Sequence, residues 1–324
     1  MVIPIALVAR GSKRSTGDAI NSGQPTARAS CPTRSAFDTI ESVSDDATTT
    51  VDADGWSVIR AAVHHAGERL GDELLSAYAI GSLAHGGFAL AVSDVDLALL
   101  TTELDRDMNK IVTAITAQVA KTHRLGERLS VFHAPWETFA EPPPSARFPP
   151  IDRFDLVRYG VLVHGADLRI TYATPPSADE IRAHAVDSAL RRATRARLAA
   201  DLKRLKAGGI TVHDATKLVL WPIRLQHVCD TGQATGNADA VDHYLALSDA
   251  AYRSLAHDAL SWRDLATIPK PDQALRRITN EIHLLHAEVF QRLGERADIP
   301  RHDELARRAR RFGFAQSWRK PKRS

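Results

Sequence analysis

Cysteine is scarce in this chain of 324 residues, which contains only two. Cys31 and Cys229 lie in unrelated sequence contexts, and neither fits the spacing of a metal-binding motif. This scarcity excludes a small fold held together by disulfides or by structural zinc. Free thiols are typical of a reducing compartment, so the sequence predicts a cytoplasmic protein.

Long apolar runs are also absent. The N-terminal run Val2 to Ala9 is short, has no basic flank before it and is followed at once by Arg10. It is a poor match to a signal peptide and is far too short to span a bilayer. No later stretch is longer and equally apolar, so we expect no membrane partner.

Charge is distributed unevenly along a chain whose net charge is only +3. Residues 173–324 contain 26 Lys and Arg against 18 Asp and Glu, whereas residues 1–172 contain 16 against 21. The basic second half favours an anionic partner. An arginine-rich solvated surface is the alternative interpretation.

The most informative stretch runs from Ile80 to Leu100. A short apolar run ends at Gly81-Ser82, and a second apolar run begins after Ser93 with Asp94 and Asp96 at its start. Side chains alternate along a strand, so the two carboxylates are expected on one face, with Val95, Leu97 and Leu99 on the other. Adjacent carboxylates repel unless a cation lies between them, and oxygen ligands of this kind suit Mg²⁺. A Gly-Ser turn lets backbone N–H groups approach a phosphate.

This arrangement of Gly81-Ser82, Gly86-Gly87 and Ser93-Asp94-Val95-Asp96-Leu97 between two strands resembles the active-site signature of the nucleotidyltransferase (polymerase beta-like) superfamily. The resemblance implies that Gly81, Ser82 and Ser93 bind a nucleoside triphosphate. It also implies that Asp94 and Asp96 are catalytic and hold Mg²⁺. The superfamily core is a small mixed sheet with helices against it, whereas composition alone would indicate only α/β or α+β.

The third strand, predicted over Leu129 to His133, departs from the superfamily pattern. A third carboxylate is expected there, but the matching residue is Ser130. A serine hydroxyl is not a general base at neutral pH without its own activator. Glu127 is therefore named as the third catalytic residue, with Glu137 and Asp155 as alternatives.

The second half of the chain reads as helical. Three segments, Lys217 to Leu225, Thr231 to Ala234 and Ala238 to Val241, resemble in pattern the C-terminal helical domain of streptomycin and spectinomycin adenylyltransferases. The predicted class is therefore α+β, a nucleotidyltransferase domain followed by an all-α helical bundle. The predicted divisions are a disordered leader (1–50), the nucleotidyltransferase domain (51–172), an acceptor-binding helical domain (173–306) and a basic tail (307–324). A frayed, solvated tail is favoured over one that binds nucleic acid.

Several helix boundaries follow from capping residues and apolar spacing. A first helix is predicted from Trp56 to Leu70, and the adjacent His64 and His65 within it are expected to diverge, which argues against a metal pair. A capping box at Ser177 to Glu180 predicts one long helix ending at Gly208-Gly209. Later helices are predicted over residues 214–230, 242–261 and 272–293.

The predicted function is metal-dependent transfer of a nucleoside monophosphate, AMP from ATP by resemblance, to a hydroxyl group of a small acceptor. The resemblance suggests an aminoglycoside-like acceptor, although a cationic drug calls for carboxylates and the helical half is basic. One alternative is a degenerate member that binds nucleotide or a partner without efficient catalysis, which Ser130 would permit. Another is a transferase acting on RNA or protein. The sequence does not fix the nucleobase, the acceptor or the oligomeric state.

Overall fold

The computed structural model describes residues 50–102, 106–139, 147–169, 174–192 and 194–317. Residues 1–49 of the predicted leader, Cys31 among them, and residues 318–324 of the predicted tail lie outside this part of the chain. Thr50 already begins the first helix. The sheet and the helices that follow it belong to one compact unit.

Four strands form a mixed sheet in the order β3-β2-β1-β4. Their bounds are β1 Leu74–Ile80, β2 Val95–Thr101, β3 Leu129–Pro135 and β4 Val161–Gly165. Strand β1 is antiparallel to both β2 and β4, whereas β2 is parallel to β3. The mixed sheet of the predicted α+β class is confirmed. The fourth strand, β4, was not predicted from the sequence.

In the described residues, four helices accompany the sheet, namely α1 Thr50–Leu70, α2 Ser82–His85, α3 Met108–Thr122 and α4 Pro150–Tyr159. Short 3₁₀ turns cover Gly71–Glu73, Gly126–Arg128 and Trp136–Thr138. On one face of the sheet, Val95, Leu97 and Leu99 pack against α1 and α3, as the alternation predicts. On the other face, Ala98 and Leu100 pack with Leu156 of α4.

Seven helices form the second half: α5 Ala178–Arg192, α6 Arg195–Gly208, α7 Val212–Thr231, α8 Asn237–Ala246, α9 Arg253–Leu265, α10 Pro271–Gly294 and α11 His302–Ser317. They share one large apolar core, against which Ile151 and Phe154 of α4 also pack. Helix α4 therefore joins the sheet to the bundle. None of the helices in the described residues is long and apolar enough to cross a membrane.

Two predicted helices are each divided in the structure. The segment from the capping box to Gly208 separates into α5 and α6, because Thr194 leaves the helical conformation and its hydroxyl caps the N-terminus of α6. The segment predicted over residues 242–261 separates into α8 and α9, with the hydroxyl of the buried Tyr244 accepting a hydrogen bond from the Tyr252 backbone between them. Both divisions depend on capping and tertiary contacts, which the spacing of apolar residues does not predict.

The C-terminal arginine-rich segment is helical as far as Ser317. Helix α11 packs along α10, and its apolar residues Leu305, Ala309 and Phe312 are buried. These positions recur at helical spacing between the arginines, so one face is core while the basic face is outside. Residues 307–317 of the predicted tail thus belong to this helix.

Candidate active site

The site begins at the end of β1, where Gly81 turns the chain into α2. Gly81 has φ 70° and ψ −156°, a backbone conformation that is essentially restricted to glycine. A Cβ added there would lie 2.5 Å from Oδ2 of Asp96. Glycine is therefore required for the backbone geometry and for the space that the Asp96 carboxylate fills.

Asp96 lies on β2, the strand between β1 and β3. It pairs with Ile80 on β1 and with Ser130 on β3. Burial raises the pKa of Asp96 to about 8, and repulsion from Asp94 and from two further aspartates adds to the shift. Asp94 immediately precedes the strand and is partly exposed, with Oδ2 2.9 Å from Nζ of Lys217. The structure thus brings Asp94, Asp96 and Gly81 together.

The two further aspartates come from α4. Asp152 and Asp155 are three residues apart and so share one face of that helix. Asp155 Oδ2 accepts a hydrogen bond from the Gly81 backbone N–H, and its Oδ1 lies 3.9 Å from Nε2 of His85. Burial raises the pKa of Asp155, and burial with repulsion from Asp155 raises the pKa of Asp152 to about 7.

These four carboxylates form a cluster of like charge that favours binding of a cation. Burial disfavours the ionised forms of Asp96, Asp152 and Asp155, and repulsion between carboxylates adds to this at Asp96 and Asp152. A bound divalent cation would offset both effects. Among the described residues, no three of their ligand atoms lie within 4.8 Å of one another. A site for Mg²⁺ would therefore rest on one or two of these carboxylates, with water and substrate phosphates completing the shell, as is common for this ion. Asp94 and Asp96 would hold it.

The helical bundle supplies cations to this cluster. Lys217 and Arg224 are seven residues apart on α7, so both project from the same side of that helix. Lys217 counteracts the raised pKa of Asp96, and Arg224 counteracts those of Asp152 and Asp155. Some of the positive charge in the second half of the chain therefore lies close to the carboxylate cluster.

Ser93 stabilises the loop that carries Asp94. Its hydroxyl oxygen accepts hydrogen bonds from the Ala89 backbone N–H at 2.9 Å and from the Arg263 guanidinium at 2.9 Å. Arg263 lies on α9, is buried and also donates to the carbonyl oxygen of Gly87 at 2.6 Å. A side chain of the bundle thus fixes the loop between α2 and β2.

Ser82 occupies the first position of α2. It is partly exposed, and within the described residues its hydroxyl has no hydrogen-bond partner. The hydroxyl is available to an external ligand. The Gly81 N–H, by contrast, is already occupied by Asp155.

The third strand brings no carboxylate to Asp96. Ser130, its neighbour in the parallel register, accepts a hydrogen bond from Arg147 at 3.0 Å. Glu127 lies exposed in the 3₁₀ turn before β3, and Glu137 lies exposed in the turn after it. Of the three carboxylates named from sequence for this role, the structure places Asp155 within the cluster.

Sequence reasoning missed Asp152, Lys217, Arg224 and Arg263. A signal for Asp152 was present, because Asp152 and Asp155 follow Pro149-Pro150 at the i, i+3 spacing of one helix face. The three cations carried no such signal. Lys217 is 123 residues from Asp94 and Arg263 is 170 residues from Ser93, so their roles depend on how the bundle packs.

Comparison with known proteins gives a limited likeness. No family model matches the chain, and no curated protein matches it. Among solved structures, a spectinomycin adenyltransferase from Enterococcus faecialis, solved with ATP and spectinomycin, superposes with a TM-score of 0.49. It shares 14% sequence identity over 70% of this chain and 98% of that chain. A likeness of this size assigns neither family nor substrate.

Proposed function

We propose that this chain is a metal-dependent nucleotidyltransferase that moves a nucleoside monophosphate from a triphosphate to an acceptor hydroxyl. The proposal rests on the proximity of Asp94 and Asp96 to Gly81 and to the cationic side chains of α7. Carboxylates on the sheet suit a divalent cation, and Lys217 and Arg224 suit the phosphates that the cation would bridge. The sequence signature supports the same class.

The reaction is an in-line displacement at the α-phosphorus. The acceptor oxygen forms a new bond to that phosphorus, the bond from it to the bridging oxygen breaks, and pyrophosphate leaves. Bound Mg²⁺ would neutralise the charge that develops on the phosphate oxygens. Lys217 stabilises the departing pyrophosphate, and the free Ser82 hydroxyl orients a phosphate oxygen.

The hydroxyl proton requires an acceptor within the site. We place that role on α4, where Asp152 and Asp155 lie in the cluster, and treat Glu127 as the competing candidate from sequence. The raised pKa of Asp152, about 7, is matched to proton transfer near neutral pH. Activity lost in Asp152→Asn or Asp155→Asn but retained in Glu127→Gln would support this placement. Activity retained in both α4 variants but lost in Glu127→Gln would instead assign the proton acceptor to Glu127.

A cavity borders α4 on the face of that helix that is turned away from Asp152 and Asp155. It has a volume of about 450 Å³ and is lined by Phe154, Val157, Arg158, Pro175 and Gln233. An acceptor held there would lie on the far side of α4 from the proposed base, so we do not assign this cavity to the acceptor. ATP remains the proposed donor from the sequence resemblance alone.

Turnover by the purified full chain tests the proposal. The protein is incubated with MgCl₂, each labelled nucleoside triphosphate and a panel of neutral, anionic and aminoglycoside hydroxyl acceptors, and pyrophosphate release is measured. We expect release that depends on acceptor and on Mg²⁺ and that Asp94→Ala abolishes. Asp54→Asn, which changes an exposed aspartate on α1, is the matched control.

The second candidate function is nucleotide binding without transfer. The Ser130–Arg147 hydrogen bond favours it, because a cation lies where the superfamily pattern calls for a carboxylate. Retained triphosphate binding with no turnover on any acceptor, including RNA and protein, would select this candidate over the transferase.

A further inference from the structure

A second cluster of metal-ligating side chains lies on α1. Nε2 of His64 is 3.4 Å from Oε1 of Glu68, and Nδ1 of His65 is 2.8 Å from Oε2 of the same carboxylate. The three ligand atoms lie within 4.8 Å of one another. Within the described residues, this is the one group of three histidine, cysteine or acidic side chains with that property.

The helix geometry explains why the two adjacent histidines converge. Successive residues are about 100° apart around a helix, so His64 and His65 alone diverge. Glu68 is four residues after His64 and three after His65, which places it between them in angle and one turn further along. The prediction that adjacency argues against a metal pair considered the two histidines without Glu68.

The position of the cluster suits a metal at the surface. The inner face of α1 is anchored by Val58, Ile59, Ala62 and Ala66, all buried against the sheet. The outer face carries the cluster, with the His64 side chain 70% exposed. Water can therefore complete the coordination shell without any movement of the backbone.

We propose that His64, His65 and Glu68 form a binding site for one divalent transition-metal ion of the zinc, nickel or copper class. Two imidazole nitrogens and one carboxylate oxygen are ligands that this class prefers, whereas Mg²⁺ prefers oxygen alone. The carboxylate now held by the two histidines would bind the metal together with them. The site is separate from the carboxylates at Gly81 and does not depend on the proposed function.

Equilibrium dialysis with Zn²⁺ tests the site, in excess Mg²⁺ to occupy the carboxylates at Gly81. We expect His64→Gln, His65→Gln and Glu68→Gln each to weaken the tightest binding event by about tenfold or more, since even indirect partners of a metal typically change affinity by that factor. His257→Gln is the matched control, because His257 is 72% exposed and lies 4.0 Å from Asp258 without a third ligand. Equal weakening in that control, or no change in the three variants, would overturn the proposal.

Electron paramagnetic resonance of bound Cu²⁺ provides an independent readout of ligand identity. The wild-type spectrum should show coupling to two imidazole nitrogens, and either histidine variant should show coupling to one. A two-nitrogen spectrum that persists in both variants would place the metal elsewhere. His64 and Glu68 are exposed, whereas the His65 side chain is only 20% exposed, and circular dichroism verifies that the helix is retained in each variant.

Discussion

Asp155 accepts a hydrogen bond from the backbone N–H of Gly81, the residue whose missing side chain leaves room for Asp96. One glycine thus brings together a carboxylate from α4 and a carboxylate from β2, which lie 59 residues apart in sequence. The consequences for stability, pH dependence and phosphate binding can each be measured.

Gly81→Ala tests the requirement for glycine. The new methyl group would meet Asp96 in a backbone conformation that costs other residues about 1–3 kcal/mol. We expect a loss of unfolding free energy of about that size, with weakened nucleotide binding. Gly67→Ala is the control, because Gly67 lies inside α1 with open space around its Cβ position, and alanine there should be neutral or stabilising. Chemical denaturation of both variants gives the comparison.

Lys217→Met tests the role of the α7 cation. Because Lys217 is paired with Asp94 and exposed to solvent, its removal should leave the fold intact but weaken triphosphate binding by about tenfold or more at low salt, as expected for loss of a charge-assisted contact. The effect should shrink as ionic strength rises. Lys206→Met, on the exposed side of α6, is the matched substitution and should bind as the wild type does. If Lys217→Met binds the triphosphate as tightly as the wild type does, Lys217 does not contact the phosphates.

Arg263 and Ser93 should be energetically coupled. Loss of either partner removes a hydrogen bond to a charged group, a kind worth about 1.5–3 kcal/mol, while Ser93 keeps its bond from Ala89 and Arg263 keeps its bond to Gly87. A double-mutant cycle of Arg263→Met and Ser93→Ala, measured by denaturation, should give a coupling free energy of about 0.5–3 kcal/mol. Additive effects would mean that the bundle does not hold this loop.

Because the pKa of Asp96 is raised to about 8, we expect the unfolding free energy of the metal-free protein to fall at alkaline pH. The unfolded-state pKa is near 4, so the folded state holds its proton to higher pH. The resulting stabilisation is complete below about pH 4 and is lost as pH rises towards 8. We expect the unfolding free energy of the wild type, relative to Asp96→Asn, to fall across that window. Mg²⁺ should stabilise the wild type more at pH 8 than at pH 6.

His286 should produce the opposite pH dependence. It is buried in the bundle core, stacked on Trp221 with ring centroids 5.7 Å apart, and burial lowers its pKa to about 3. The unfolded state takes up a proton as pH falls below about 6.5, but the folded state does not, so stability should decline from that pH towards 3. His286→Gln should flatten this decline relative to wild type, whereas His257→Gln, at an exposed position, should not. Thermal unfolding at pH 7 and pH 4.5 measures the difference.

The proposed metal-binding residues were predicted from sequence because they are close together in the chain. Gly81, Asp94 and Asp96 lie within sixteen residues, and strand alternation together with turn chemistry assigns each a direction. The mixed sheet followed from the resemblance that the same residues carry. The division of the bundle into separate helices did not follow, because Thr194 and Tyr244 act through capping and tertiary contacts.

The sequence by itself therefore determined the turn, the strand and the carboxylate pair, since backbone geometry fixes neighbours along one strand. Tertiary packing alone decided that α4 brings Asp155 to Gly81 and that the bundle brings Lys217 to Asp94 and Arg263 to Ser93. Those contacts join segments 74, 123 and 170 residues apart. Their positions follow from the apolar surfaces that bury α4 between sheet and bundle, and no local pattern in the chain encodes that docking.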